Sequence, residues 1–385
     1  MVRGFGIFLC VCLISGVGVW RLVRIEAPKP PRALRAPTGI SQSSVKDTAI
    51  RSQDWLSPGS DQIWVTALVG EREGRESAIL VDLASGDSLC RVEGAAPVAW
   101  LSSTQALFLK GANNDPLWRK LLRQLGVMIA RSHLTRLYRL DLVTLKFYTL
   151  AEIQTEVPAT FLSVSPNRGS LVGAWGPRTC HEVDLKTGAV SEKVKEVYVW
   201  SPSFVDDETY LFVGETAIQS RRLGAPRSDR VSQPLLKEIR DAILERGTPS
   251  LRPCGRVGER ILAVDQQVGA AGSRLLQLDE RTSIVEELAR LKPSREPPRF
   301  NSAGTACVYQ GHVFEGNMDS VFVQNVDRGS EPRLLARGKY GDIHESTPLF
   351  LGEDVVLYVH SGIELMSIHL SGGEPHLHWP LALSP

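Results

Sequence analysis

The chain has 385 residues, 43% of them hydrophobic, and its 44 Lys and Arg against 43 Asp and Glu leave a formal charge of +1. That apolar share can bury a large core, which excludes a disordered or collagen-like chain, and the near-neutral balance argues against a whole-molecule nucleic-acid binder. The charge is uneven: residues 1–35 hold Arg3, Arg21, Arg24, Lys29, Arg32 and Arg35 against Glu26, so they carry +5 and the remainder −4. The mildly acidic remainder has no pull toward polyanions.

Residues 4–20 (GFGIFLCVCLISGVGVW) form an uncharged run between Arg3 and Arg21. As a helix it would span roughly 26 Å, at the short end for a bilayer core of about 30 Å. Residues 1–24 are read as a membrane anchor in preference to a cleaved signal, because Ala27 and Ala36 are each followed by proline, which disfavours cleavage. Sidedness draws two opposed signals. Five basic residues after the run place the head in the cytoplasm by the positive-inside rule. The three-residue amino-terminal tail instead resembles a signal anchor that exports the domain behind it. Residues 25–54, rich in Pro, Ser, Ala and Arg, read as a flexible linker. Cys90, Cys180, Cys254 and Cys307 are widely separated, so neither a disulfide framework nor a zinc site is indicated.

From residue 55 to 385 one pattern recurs: a hairpin, then an alternating strand that closes on a motif such as Val81-Asp82-Leu83-Ala84-Ser85-Gly86. Equivalent positions are Asp141, Asp184, Arg222 (the weakest copy), Asp279, Asn325 and His369, at spacings of 59, 43, 38, 57, 46 and 44 residues. Hairpins such as FLSVSPNRGSLVGAWG and PLFLGEDVVLYVH lie upstream, and most units add a fourth strand (LCRVEG, FYTLAE, SEKVKE, IVEELA, PRLLAR). Four antiparallel strands per unit, repeated, predict an all-β fold, a β-propeller of about seven four-stranded blades with six as the alternative count. A single blade cannot bury both faces, so blades must stack. The two long spacings are filled by amphipathic helices expected at about residues 115–131 and 232–247. Asp115 and Ser232 are their candidate N-caps, and both stripes are expected to pack on the propeller wall.

These units resemble the TolB-like (WD40-like) propellers. The match is carried by Ser165-Pro166-Asn167-Arg168-Gly169, by Asn301-Ser302-Ala303-Gly304 with Ser320-Val321-Phe322-Val323, and by the VDL turns. The resemblance implies a head that binds a partner protein in the bacterial envelope. The head is accordingly expected in the periplasm, with a cytoplasmic orientation as the alternative.

No Gly-x-Ser-x-Gly elbow, phosphate-binding loop, His-Glu-x-x-His site or EF-hand loop occurs, so the sequence predicts no enzyme, no cofactor and no metal site. A propeller enzyme of lactonase or glycosidase type, working in the central channel, is the rival reading. His376 and His378 have strand spacing for two imidazole ligands, but they read more simply as polar positions on a solvated outer strand. Asp206-Asp207 reads as a hairpin turn. Connections between the last strand of one blade and the first of the next surround one channel mouth. There Tyr198, Arg295, Glu296, Arg299, Tyr340, Asp342, His344 and Glu345 are the candidate partner-binding residues, a mixture of charge signs and tyrosines suited to protein recognition.

Overall fold

The computed structural model describes residues 30–35, 48–69, 75–113, 133–155, 159, 161–175, 180–193, 200–214, 218–225, 251–266, 272–279, 284–294, 297–313, 318–337, 347–360 and 364–379. Seven antiparallel sheets succeed one another along the chain. The first contains β1 (Arg32–Arg35), β2 (Thr48–Leu56), β3 (Gln62–Val69), β4 (Arg75–Asp82) and β5 (Ser88–Glu93), in the order β1-β5-β4-β3-β2. The second contains β6 (Ala96–Ser102), β7 (Gln105–Asn113), β8 (His133–Asp141) and β9 (Lys146–Thr155). The third contains β10 (Phe161–Val164), β11 (Ser170–Ala174), β12 (Cys180–Asp184) and β13 (Val190–Lys193). The fourth shows three strands among the described residues: β14 (Trp200–Phe204), β15 (Thr209–Val213) and β16 (Ile218–Arg222). The fifth has β17 (Leu251–Val257), β18 (Arg260–Gln266), β19 (Ser273–Leu278) and β20 (Ile284–Leu291). The sixth has β21 (Arg299–Phe300), β22 (Ala306–Val313), β23 (Met318–Asn325) and β24 (Arg333–Arg337), and the seventh β25 (Leu349–Leu351), β26 (Val355–His360), β27 (Glu364–His369) and β28 (His376–Trp379).

Side-chain alternation explains why these sheets form a ring. Successive residues of a strand point to opposite faces, and in the central strands both faces are apolar. Ile63 and Val65 pack with Leu357, Val359 and Trp379 of blade seven, whereas Trp64 between them packs with Trp100, Ala106 and Phe108 of blade two. The Trp64 and Phe108 rings meet edge-on at 4.9 Å. The same division recurs around the molecule: Leu107 and Leu137 meet Leu171 and Val183, Cys180 meets Tyr210, Leu211 meets Leu276, Leu262 meets Cys307, and Val308 meets Val356. Each such side chain contributes roughly 1.5–3 kcal/mol by leaving water. The count is therefore seven blades, and blade seven closes on blade one.

Closure is made by side chains. Among the described residues every sheet is built from strands of its own blade, so no strand from one end of the chain joins the sheet at the other. Instead His378 Nδ1 lies 2.7 Å from the Leu83 carbonyl oxygen, and Trp379 donates its indole N–H to Ser88 Oγ at 3.1 Å.

The recurrent aspartate and leucine have a shared structural cause. The Oδ1 of Asp82, Asp141 and Asp184 accepts the N–H groups two and three residues on, at 2.8–3.1 Å, which folds the turn between third and fourth strands. His369 does the same work in blade seven, where Nδ1 accepts the Ser371 N–H at 3.1 Å. The N–H groups of Leu83, Leu142, Leu185, Leu223, Val326 and Leu370, each directly after this slot, donate to Asp61, Thr104, Gly169, Glu208, Thr305 and Asp354, the last residues of the inner hairpin turns. Two stretches of the segment read as linker are strands: β1 pairs with β5, Arg32 opposite Glu93, and β2 begins at Thr48. Residues 4–20 and the two expected helices, 115–131 and 232–247, lie outside the described residues, among which no helix is long and apolar enough to cross a membrane.

Candidate functional site

The first strand of each blade is the innermost. Successive first strands touch one another, β2 with β6, β10 with β14, β14 with β17 and β21 with β25, and together they wall a central channel. As edge strands they tolerate proline, since one row of their N–H groups has no ladder partner. Pro97, Pro202 and Pro253 sit within β6, β14 and β17.

Two of these strands are irregular. The register shifts between Trp200 and Ser203 in β14, where Ser201 is turned into the left-handed region with a φ of 47°. It shifts again between Pro253 and Gly255 in β17. Gly255 has a φ of +84°, and a Cβ there would come within 2.3 Å of the Phe204 carbonyl oxygen, so only glycine lets β17 approach β14 this closely. Bulges of this kind re-aim neighbouring side chains. Arg252, just before the shift, places its guanidinium carbon 5.5 Å from the centre of the Phe161 ring. Phe161 belongs to blade three and Arg252 to blade five, so the contact reaches past the innermost strand of blade four.

Arg299 in β21 is exposed, and it acts electrostatically together with Arg252 on the Cys254 thiol. Burial nevertheless prevails there and pushes the thiol up to about 12, against the pull of both arginines. Cys254 is therefore a protonated thiol at neutral pH and not a nucleophile. Burial likewise pushes Cys90 up to about 11 and Cys307 up to about 12.

The two ends of the channel differ. At one end lie the hairpin turns, from two residues (Ser103 and Thr104) to five (57–61), and they bond to one another. The Asn167 N–H donates to Asp207 Oδ1 at 2.8 Å, and Asn301 Nδ2 donates to Glu353 Oε2 at 2.8 Å, each joining adjacent blades. Asp206 Oδ1 accepts the N–H groups of Glu208 and Thr209, so the Asp206-Asp207 pair is a turn and a blade-to-blade tie. The opposite end receives the connections that leave second and fourth strands, including residues 114–132 between β7 and β8 and 338–348 between β24 and β25.

Of the residues expected at a mouth, Arg299 is described, and it is the exposed first residue of the innermost strand β21. Tyr198, Arg295, Glu296, Tyr340, Asp342, His344 and Glu345 lie outside the described residues. Sequence reasoning missed Arg252, Phe161 and Cys254. The signal available was the position of residues 251–257 directly before the Gly258-Glu259 turn and the apolar run of β18, which marks an innermost strand. The histidine pair also differs from expectation. His376 is exposed, but His378 is buried at the junction of blades seven and one, with Nε2 at 2.8 Å from Ser367 Oγ and Nδ1 on the Leu83 carbonyl, so both nitrogens are occupied. Among the described residues no three His, Cys, Asp or Glu side chains gather as metal ligands would.

No family model matches the sequence, and no curated protein sequence matches it. Solved structures do match in fold. An oligogalacturonate lyase is 13% identical, with a TM-score of 0.56 over 91% of this chain and 96% of its own. The β-propeller domain of the Trilobed protease from Pyrococcus furiosus, which has an open velcro topology, is 12% identical, with a TM-score of 0.57 over 88% of this chain and 97% of its own. TolB from Acinetobacter baumannii is 15% identical, with a TM-score of 0.46 over 76% of this chain and 67% of its own, too distant to carry the finer TolB-like assignment. One expectation is corrected here. The missing sequence motifs pointed away from an enzyme, yet a protein with this fold along nearly its whole length is a lyase, so absence of those motifs does not exclude catalysis on this scaffold. At these identities the similarity establishes one thing: the chain is a β-propeller, whose seven blades close without a shared strand among the described residues.

Proposed function

We propose that the chain is a membrane-tethered propeller that recognises a partner protein through the connections at one mouth of its channel, with the head in the periplasm. The observation that supports this reading is the difference between the two ends of the ring. The hairpin-turn end uses its polar groups on itself, through the Asn167–Asp207 and Asn301–Glu353 bonds. The connections from fourth to first strands leave toward the other end, and three of them, residues 194–199, 292–298 and 338–348, include in their sequence Tyr198, Arg295, Glu296, Tyr340, Asp342, His344 and Glu345. Long connections held on a rigid scaffold are where recognition residues concentrate. The uncharged run at residues 4–20, leading into a Pro/Ser-rich stretch, supports the tether.

The test places a photo-reactive residue at position 340 or 295, and separately at Lys186 on the hairpin-turn end, in native membranes. The reading expects one reproducible crosslinked protein from positions 340 and 295 and none from 186. The same bands from all three positions, or none from any, would overturn it. Protease cleavage near Arg35 in spheroplasts but not in intact cells is the outcome a periplasmic head requires.

A further inference from the structure

The strand β1 fixes where the chain enters the head. Its partner is β5, and the register runs from Arg32 opposite Glu93 to Arg35 opposite Cys90. Glu93 is the last residue of β5, at the end of the ring where fourth strands hand over to first strands, whereas Ser88 begins β5 beside the turn of residues 83–87. β1 therefore starts at the mouth end and runs toward the hairpin-turn end. Its start is pinned, because Pro31 is buried and Ala33 packs against the apolar cluster that holds Trp64, Trp100 and Phe108. The tether thus joins the head at the mouth end.

The length of chain before β1 gives that position a consequence. Eleven residues, 21–31, separate the uncharged run from β1, and fully extended they reach at most about 40 Å. The nine residues of β8 make a blade about 30 Å tall at about 3.3 Å each. To set the hairpin-turn end on the bilayer, the tether would have to climb the whole blade before reaching Arg32, which takes most of its reach and much of its conformational freedom. With the mouth end toward the bilayer the same chain stays slack.

Charge selects the same orientation. The turns that join first to second and third to fourth strands hold thirteen acidic residues in their sequence against four basic ones. The connections that leave second and fourth strands at the other end hold ten of each, setting aside residues 223–250, which run from one end to the other. An anionic headgroup surface repels the first set and is indifferent to the second, within a Debye length of about 8 Å.

We infer that the head is carried mouth-down over the bilayer that holds its tether, and that the partner recognised at the mouth is a protein embedded in that same bilayer. The inference rests on the tether and mouth reading proposed above, and adds to it an orientation and a class of partner.

The test measures resonance energy transfer in the full chain, reconstituted into phosphatidylethanolamine and phosphatidylglycerol vesicles that carry an acceptor lipid. A fluorescent amino acid replaces Lys292 at the mouth end or Lys186 at the hairpin-turn end, both of which are exposed. Transfer should be about twofold greater from position 292, because roughly 30 Å separates the two ends. Ala33→Asp, which sets a carboxylate against the Trp64 cluster and releases β1, should leave the chain on the vesicles and bring the two efficiencies together. Equal transfer from both positions in the parent, or greater transfer from 186, would overturn the orientation and leave the tether standing. A chain that alkaline carbonate washes off the vesicles would overturn the tether and this inference together. In native membranes, the protein crosslinked from position 340 or 295 should stay with the carbonate-washed pellet, and its release would overturn the class of partner.

Discussion

Gly188 and Gly372 both lie in the turns between third and fourth strands, in blades three and seven, with φ of +75° and +90°, yet their surroundings differ. A Cβ on Gly188 would lie 2.0 Å from the Leu150 carbonyl oxygen of blade two, whereas a Cβ on Gly372 would meet nothing within 4 Å. Replacement by alanine incurs the left-handed conformational cost at both sites, about 1–2 kcal/mol, and recovers part of it, roughly 0.4–1 kcal/mol, by restricting the unfolded chain. Gly372→Ala should therefore cost about 1 kcal/mol. Gly188→Ala must in addition move blade two away from blade three, since contacts below 3.0 Å are essentially never seen at a real Cβ. Overpacking of that kind adds roughly 1–3 kcal/mol. Urea unfolding monitored by tryptophan fluorescence would read both variants against the parent at unchanged m-value. Equal losses at the two sites would refute the close approach of blades two and three on which the ring packing rests.

Individual titratable groups carry the remaining predictions. Burial, and secondarily the charge of His376, holds His378 below the usual histidine range despite its bond to the Leu83 carbonyl. Its protonation therefore opposes folding: its share of stability is fully present above about pH 6.5 and is lost as pH falls through the lower folded value. His378→Asn, which keeps a donor toward Leu83 and does not titrate, should flatten the fall in melting temperature between pH 7 and 5, and an unchanged slope would contradict the assignment. Backbone N–H groups of Thr144 and of Thr187 hold Asp141 and Asp184 below the usual carboxylate range. Their contribution is present above about pH 3.9 and is lost as pH falls below it. Asp184→Ala should cost about 1 kcal/mol in urea unfolding at pH 7 by leaving the turn without its acceptor, and Asp184→Asn should cost less. Site-resolved alkylation at pH 8 should leave Cys90, Cys254 and Cys307 unmodified in the native protein, because burial keeps all three thiols protonated, and rapid labelling of Cys254 would contradict its packing against the core between blades five and six.

The blades are legible in the sequence because their signals are local. Each third strand ends where the Asp-Leu motif predicts, at Asp82, Asp141 and Asp184, since an aspartate that accepts two backbone N–H groups makes its own turn. Gly86 and Gly188, with positive φ, mark the same turns. The innermost strand of blade five is not legible, because Pro253 and Gly255 break its apolar pattern for reasons that lie in its neighbours: an edge without ladder partners and the approach of Phe204. The Arg252–Phe161 contact joins blades three and five, and the His378–Leu83 bond joins blades seven and one, so neither leaves a trace in local spacing. β1 escapes for a different reason. Its four residues, RALR, match the composition of the surrounding linker, and pairing is set by the open edge of β5 rather than by their own pattern.

The closed ring is tested most directly by a double-mutant cycle on Trp379→Phe and Ser88→Ala, whose parent side chains meet at 3.1 Å although they belong to the two ends of the propeller. With unfolding free energies measured for the parent, both single variants and the double variant, a ring closed by blade seven on blade one predicts a coupling of about 0.5–1.5 kcal/mol. Strictly additive losses, with no coupling between these positions, would contradict it.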